Sequence, residues 1–133
     1  MPSVNSVVLD ASALLAFIHR EAGGDVVLSR LSGSIMSAVN YAEVLKKLVE
    51  RGATVEAAGQ QVDYLPVTIR PFDSAQAFKT AAIWPGTREC GLSLGDRACL
   101  TLGLTEGATI FTADRQMAAT NLPVKVKLLR DRH

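Results

Sequence analysis

The sequence has little of what several classes of protein depend on. It contains only two cysteines, Cys90 and Cys99, which form no CxxC pair, and only two histidines. We therefore expect neither a disulfide scaffold nor a zinc site built from sulfur, and free thiols suit a reducing compartment. The longest run without a charged residue, at positions 31–42, is far shorter than a membrane span. These absences predict a soluble, cytoplasmic protein.

An excess of charge of either sign is also missing. Lys and Arg total 14 against 13 for Asp and Glu, which gives a formal net charge of +1. Because there is no global basic field, any contact with nucleic acid must depend on local patches. What the sequence does have is 48% hydrophobic residues over 133 positions, which is enough for one buried core. We expect a single domain over residues 1–133.

Short apolar runs alternate with segments of helical periodicity along the whole chain. Predicted strands lie at residues 6–9, 35–37, 67–70, 109–112 and 124–128. Predicted helices lie at residues 11–20, 25–31, 38–51, 55–64, 73–84, 94–106 and 114–120, and residues 85–91 are predicted to be a loop. This order predicts an α/β three-layer sandwich, with a mainly parallel sheet of four to five strands and helices on both faces.

Four acidic residues fall where such a fold places its functional site, at the carboxyl ends of the strands. Asp10 follows the first predicted strand and Asp114 follows the fourth, while Glu43 and Asp96 lie near the starts of two predicted helices. Several carboxylates share a small site only when a cation or protons neutralise them. Oxygen ligands without cysteine favour Mg²⁺ or Mn²⁺ over zinc.

Each of these acids also has an ordinary structural explanation. Asp10 and Asp114 could cap the helices that follow them, and Asp96 completes an S-x-x-D capping box that begins at Ser93. Glu43 lies on the polar face of its helix, where an i,i+4 ion pair with Lys47 is common. The position of each acid, taken singly, leaves both interpretations open.

Four segments in order resemble the four motifs of VapC-like PIN domains, and together they span residues 7–117: VVLDASALLAFI, SAVNYAEVLKKL, LSLGDRACLTLG and IFTADRQM. The resemblance implies a PIN-like fold. It also implies that four acids bind metal and are catalytic, namely Asp10, Glu43, Asp96 and Asp114. Ser12 and Thr112 match the accessory hydroxyls that hold water or neighbouring carboxylates.

The resemblance further implies an Mg²⁺-dependent endoribonuclease, with Mn²⁺ as a substitute, that is the toxin of a type II toxin-antitoxin pair. We expect water to attack the phosphodiester of single-stranded or structured RNA, such as tRNA, and to leave a 3′-hydroxyl and a 5′-phosphate. The expected partners are RNA, a second copy in a homodimer and a VapB-like antitoxin. A cationic antitoxin side chain would reach Asp10 and Asp96, with the helix at residues 38–51 as the wall of its groove.

Other interpretations remain beside this one. A receiver-type signalling domain needs two adjacent acids near the first strand end and a lysine after a late strand, whereas Asp10 stands alone and Ala113 follows Thr112. A non-catalytic RNA- or protein-binding PIN-like module keeps the fold, but the intact set of four acids argues against it. Arg97 and Arg115 each follow a site acid, and either could contact phosphate or pair with a carboxylate.

Overall fold

A computed structural model describes residues 6–130. The strands are β1 (Val7–Leu9), β2 (Ser34–Ser37), β3 (Val67–Arg70), β4 (Thr109–Thr112) and β5 (Val126–Leu128). The helices are α1 (Ala11–Ile18), α2 (Gly24–Ser29), α3 (Ala38–Glu50), α4 (Val55–Asp63), α5 (Ser74–Ala82), α6 (Trp84–Thr87), α7 (Leu94–Glu106) and α8 (Arg115–Ala118), with a 3₁₀ turn at Arg88–Cys90. Within residues 6–130 no helix is both long and apolar enough to cross a membrane.

The five strands form one sheet in the order β3-β2-β1-β4-β5, and every neighbouring pair is parallel. The chain runs outwards from β1 through β2 to β3, and then returns to place β4 on the other side of β1. The strand order therefore reverses between β1 and β4, which is the switch point where doubly wound sheets bind ligands. Asp10 follows β1 at this point, and Thr112 ends β4.

Helices pack on both faces of the sheet, and they bury the central strands β1, β2 and β4 on both sides, whereas the edge strands β3 and β5 are partly exposed. Val7 and Leu9 point into one hydrophobic cluster, which also contains Leu14 of α1 and Val44 of α3. The intervening Val8 points the other way, into a second cluster formed with α7 and β4. This alternation is the period of two that a strand imposes. The predicted three-layer α/β sandwich is confirmed, and its sheet is parallel throughout the described chain.

The clearest difference from the sequence prediction lies between α5 and α7. Residues 85–91 were expected to form a loop, but the chain continues as α6 and a 3₁₀ turn up to Cys90. Pro85 lies in the first turn of α6, where a helix does not need the N–H group that proline lacks. The prediction of a loop was therefore wrong. Strand β5 is also shorter than predicted, since it begins at Val126 and not at residue 124.

Candidate metal centre

The carboxylate of Asp10 lies buried at the end of β1, with only 4% of the residue exposed. Its Oδ1 accepts a hydrogen bond from the backbone N–H of Ala13 at 2.8 Å, so Asp10 is the N-cap of α1. The hydroxyl of Ser12 donates to Oδ1 at 2.7 Å, and the hydroxyl of Thr112 donates to Oδ2 at 2.5 Å. Both hydroxyls that the resemblance singled out therefore hold Asp10 in place.

The same two hydroxyls also connect the start of α1 to the end of β4. Thr112 Oγ1 accepts from the backbone N–H of Asp114 at 2.9 Å, and Ser12 Oγ accepts from the backbone N–H of Ala113 at 2.9 Å. The two oxygens lie 3.4 Å apart. Segments about 100 residues apart in sequence are thus joined around one carboxylate, which fixes its orientation.

Burial makes the carboxyl group of Asp10 a weaker acid than usual. Loss of hydration raises the pKa of Asp10 from 3.8 to about 6, because burial penalises the charged form. The hydrogen bonds from Thr112, Ser12 and Ala13 oppose this shift, whereas the negative charge of Asp96 adds to it. Asp10 is therefore a carboxylate whose ionised form is costly, and a nearby cation would stabilise it.

Glu43 lies on the first turns of α3, and its carboxylate reaches the N-terminus of α7. The side-chain amide of Asn40 donates to Glu43 Oε1 at 2.8 Å and to the carbonyl oxygen of Gly95 at 3.1 Å. The expected ion pair between Glu43 and Lys47 is absent from the described residues, where Lys47 lies 3.8 Å from Glu50. Although Glu43 is an exposed residue, its carboxylate is therefore held by Asn40.

Asp96 and Asp114 are both helix caps, as their sequence positions allowed. Asp96 Oδ2 accepts from the backbone N–H of Ser93 at 3.0 Å, and Ser93 Oγ accepts from that of Asp96 at 3.1 Å, which completes the predicted capping box. Asp114 Oδ1 accepts from the backbone N–H of Gln116 at 2.9 Å and so caps α8. Each acid keeps a second carboxylate oxygen outside these cap bonds.

Three of the four acids act on one point inside the protein, the thiol of Cys99. Burial raises the pKa of Cys99 well above its ordinary value, and the negative charges of Asp10, Asp96 and Glu43 raise it further. We call Asp10, Glu43 and Asp96 the inner trio, because their charges all reach this buried thiol. Asp114 is tied to the same region through its backbone N–H, which donates to Thr112 Oγ1.

These residues suit a hydrated divalent cation better than a closed cage. In the described part of the chain, no three His, Cys, Asp or Glu side chains lie close enough to hold one metal ion together. Mg²⁺ keeps several waters and is usually bound through one or two carboxylates, so it does not need such a cage. The buried Oδ1 of Asn40 also lacks a hydrogen-bond partner among these residues, which leaves a buried acceptor that the protein does not satisfy.

Asn40 is a site residue that the sequence analysis missed. Asn40 is 1% exposed, and its amide bonds Glu43 and also Gly95 of α7, which lies 55 positions after Asn40 in the sequence. The available signal was its place three residues before Glu43, a spacing at which helical side chains meet. The contact with Gly95 could not be inferred from any local pattern.

The two arginines beside the site acids differ in their surroundings. Arg97 donates from Nη1 to the carbonyl oxygen of Leu92 at 3.3 Å, so part of its guanidinium is engaged with the loop before α7. Its Nε is buried and has no hydrogen-bond partner in the described chain. Arg115 is exposed at the first position of α8. Neither arginine is assigned a role by this geometry.

A family model of the PIN domain matches residues 7–122, which include all four acids. The chain belongs to the PIN domain family. The match agrees with the resemblance found in the four sequence segments. A comparison with curated protein sequences gives no significant match.

Solved structures share the fold of this PIN domain over almost its whole length. A chain of a toxin-antitoxin complex from Klebsiella pneumoniae has a TM-score of 0.75 and 14% identity, over 95% of this chain and 99% of its own. A chain of a DNA-bound VapBC from Salmonella typhimurium has a TM-score of 0.71 and 12% identity, over 92% of this chain and 97% of its own. A chain of VapBC-1 from nontypeable Haemophilus influenzae has a TM-score of 0.71 and 14% identity, over 93% of this chain and 98% of its own. At such identities the likeness establishes the fold.

Proposed function

We propose that this single PIN domain is a divalent-metal-dependent endoribonuclease that acts as the toxin of a VapBC-like toxin-antitoxin pair. The observation that carries the nuclease is the buried carboxylate of Asp10 at the switch point, whose ionised form burial disfavours, with the charges of Glu43 and Asp96 reaching the same region. Three neighbouring carboxylates repel one another and destabilise the fold unless a cation offsets their charge. Membership of the PIN family supports the same conclusion.

In this proposal four acids are the metal ligands, namely Asp10, Glu43, Asp96 and Asp114. When bound, Mg²⁺ or Mn²⁺ supplies positive charge that activates water and offsets the charge developing on the phosphodiester. Ser12 and Thr112 keep both oxygens of Asp10 oriented through their hydrogen bonds. The capping box holds Asp96 by one oxygen, which leaves its other oxygen outside the cap bonds.

The proposed nucleophile is water and not the ribose 2′-hydroxyl. Cleavage through the 2′-hydroxyl needs a general base, most often histidine, within hydrogen-bond reach. The candidate groups around Asp10 are carboxylates and hydroxyls, which suit metal-assisted hydrolysis better. The products should therefore carry a 3′-hydroxyl and a 5′-phosphate. We propose single-stranded or structured RNA as the substrate, with tRNA as one possible case.

Incubation of the purified protein with mixed RNA tests this proposal directly. We expect cleavage with Mg²⁺ or Mn²⁺, loss of cleavage with EDTA, and recovery when the metal is restored. Product ends are read by phosphatase and ligase sensitivity. Cleavage that survives EDTA, or products with 2′,3′-cyclic phosphate ends, would contradict the mechanism.

A non-catalytic RNA- or protein-binding module is the second candidate. It is favoured by one observation, that no three metal-ligating side chains converge within the described residues. Such a module would bind RNA equally well with and without Mg²⁺ and would leave it intact. Electrophoresis of end-labelled RNA after incubation separates the two functions.

The toxin role and its partners form the finer part of the proposal. The similar chains from Klebsiella pneumoniae and Salmonella typhimurium come from a toxin-antitoxin complex and a VapBC complex, which supports a VapB-like partner here. We also propose a homodimer, on the resemblance of the four motifs to VapC-like PIN domains. Free Cys90 and Cys99 support action in the cytoplasm. Expression of the chain alone should arrest growth, and co-expression with the antitoxin should restore it.

A further inference from the structure

The side chain of Asn40 makes two hydrogen bonds whose direction can be assigned from chemistry. Its partners are a carboxylate oxygen of Glu43 at 2.8 Å and the carbonyl oxygen of Gly95 at 3.1 Å. Both partners only accept hydrogen bonds, so the atom between them must be the amide nitrogen. Asn40 is buried in the α3–α7 contact, with 1% of its surface exposed. A buried amide therefore donates both of its protons to the place where Glu43 meets α7.

The absence of a side chain at Gly95 completes this arrangement. A Cβ atom built on Gly95 would lie 2.7 Å from the carboxylate carbon of Glu43, far inside van der Waals contact. Gly95 lies in the first turn of α7 with ordinary helical geometry, so its backbone does not require glycine. The space that a side chain would fill is occupied by the Glu43 carboxylate instead.

We propose that Asn40 and Gly95 are positioning residues, together a Glu43 clamp, that fix the Glu43 carboxylate beside Asp96 for divalent-cation binding. The proposal rests on the metal-dependent function proposed above. Gly95 directly precedes Asp96, so a carboxylate seated on Gly95 lies at the same helix end as Asp96. Asn40 holds the Glu43 carboxylate by a hydrogen bond, and the missing side chain of Gly95 leaves the space that this carboxylate occupies.

Without the clamp, Glu43 would be an ordinary flexible residue. It is exposed, and its side chain has several rotatable bonds whose freedom must be lost before it can act as a ligand. The next turn of α3 carries Lys46 and Lys47, and both lie within ion-pair distance of Glu50. A carboxylate released from Asn40 would be free to turn towards these lysines. A fixed outer partner removes that freedom in advance, as partners of metal ligands generally do.

Two variants disturb the clamp in independent ways, and each has a matched control. Asn40→Leu removes both donors at similar volume, and Thr101→Val removes another buried hydrogen bond that joins helices, between Thr80 and Thr101. Gly95→Ala fills the space of the carboxylate. Gly59→Ala makes the same change inside α4, where the nearest atom to the new Cβ is 3.7 Å away. Thermal unfolding in EDTA identifies the temperature range in which every variant is folded.

Mn²⁺ affinity, measured by titration calorimetry in that range, is the deciding readout and does not depend on RNA cleavage. We expect Asn40→Leu and Gly95→Ala to bind Mn²⁺ about 10- to 100-fold more weakly than the wild type, the effect typical of lost outer partners. Thr101→Val should lose thermal stability without losing affinity, and Gly59→Ala should lose neither. Alanine is a stronger helix former than glycine, so Gly95→Ala should remain folded. If Asn40→Leu does not fold, the Mn²⁺ affinity of Gly95→Ala alone tests the clamp.

The outcomes separate the clamp from the function on which it rests. Wild-type protein that binds no Mn²⁺ would overturn the proposed metal centre and the clamp together. Wild-type protein that binds Mn²⁺ as tightly as both clamp variants would overturn the clamp alone. An equal loss of affinity in Gly95→Ala and Gly59→Ala would also overturn it, because the effect would then come from helix changes at large and not from Glu43.

Discussion

The carboxylate of Asp10 serves two requirements that oppose each other. As the N-cap of α1 it stabilises the fold by accepting the N–H of Ala13, but as a buried charge it costs free energy. The rise of its pKa from 3.8 to about 6 corresponds to about 3 kcal/mol at neutral pH, since each pKa unit is worth about 1.4 kcal/mol. This cost is what remains after the hydrogen bonds from Thr112, Ser12 and Ala13 have stabilised the charge.

This balance predicts a pH-dependent effect of Asp10→Asn in metal-free protein. Because the folded-state pKa is raised, the contribution of Asp10 to stability is full below about pH 4 and is lost as the pH rises through about 6. Asparagine still accepts from Ala13 and carries no charge. The free energy of unfolding of the variant should gain up to about 3 kcal/mol on the wild type between about pH 4 and pH 8.

Denaturant unfolding in EDTA at several pH values measures this difference, and the other titrating groups cancel because both proteins contain them. Saturating Mg²⁺ should reverse the order at about pH 8, because only the wild type retains the full ligand charge. A stability difference that does not change with pH would show that Asp10 is not a buried, ionised carboxylate in the free protein.

The four acids should not contribute equally to cleavage. Asp10→Asn, Glu43→Gln and Asp96→Asn each remove charge from the inner trio, and each should lower kcat/KM by about 100-fold or more, beyond the range for outer partners. Asp114→Asn should lower kcat/KM less, by about tenfold, because the hydrogen-bonded link from Asp114 to Asp10 runs through its backbone N–H and Thr112, and not through its carboxylate.

Asp73→Asn is the control for this series, since Asp73 caps α5 through Gln76 in the same manner and is not one of the site acids. It should retain full activity, because asparagine caps about as well as aspartate. If the trio variants cleaved RNA as well as Asp73→Asn does, the roles of these acids would be structural only, as caps for Asp10 and Asp96 and as the partner of Asn40 for Glu43.

At the scale of elements, the capping box of α7 joins folding to the site. Ser93 binds the backbone of Asp96 while Asp96 binds the backbone of Ser93, so the cap that starts α7 also orients a candidate ligand. Thr54 caps α4 by the same kind of bond, to Ala57 at 3.1 Å, but without an acid of the site in its first turn. The two caps therefore provide a matched pair.

Ser93→Ala and Thr54→Ala should each lower the free energy of unfolding by about 1 kcal/mol, the usual cost of losing such a cap. Only Ser93→Ala should also weaken Mn²⁺ binding, by roughly three- to tenfold, because Asp96 loses a restraint. Chemical denaturation and calorimetry measure the two effects separately. Equal Mn²⁺ affinities in the two variants would mean that the box serves the helix alone.

Local chemistry determines which elements the sequence reveals. Helix α7 has its predicted bounds because Ser93 caps its start and Gly107 ends it with a φ of 62°, a left-handed conformation that favours glycine. Strands β3 and β4 also have their predicted bounds, since their apolar runs end at clear turn residues. Helix α6 was missed because proline both breaks helices and begins them, and Pro85 does the latter.

The site was only partly predictable for a related reason. Asp10 and Asp114 could be placed at one edge from the predicted strands alone, because the carboxyl ends of parallel strands meet there, whereas Thr112 was assigned through the resemblance. The link from Asn40 to Gly95 depends on how α3 packs against α7, and a single sequence carries no signal for such a pair.

At the scale of the whole molecule, the fold brings the charges of Asp10, Glu43 and Asp96 to bear on one buried region although the chain is nearly neutral, with a net charge of +1. The free protein therefore presents a local site that attracts any cation, whether a metal ion or a basic side chain. An antitoxin that places an arginine or lysine at Asp10 and Asp96 would neutralise the site and exclude the metal at once. Inhibition would then follow from competition for the same carboxylates.

This competition predicts that Mg²⁺ weakens antitoxin binding. The apparent Kd of the antitoxin should rise with Mg²⁺ in proportion to occupancy of the metal site, because two ligands that exclude each other are linked reciprocally. Binding is measured by calorimetry with the purified antitoxin, at an ionic strength held constant with NaCl so that screening does not change. Light scattering on the same samples tests the proposed homodimer.

In Asp96→Asn, the dependence of antitoxin binding on Mg²⁺ should shrink, because one shared carboxylate is gone. An antitoxin that binds wild-type protein equally tightly at all Mg²⁺ concentrations, while still blocking cleavage, would have to dock away from the acids and exclude RNA by covering the edge of the sheet.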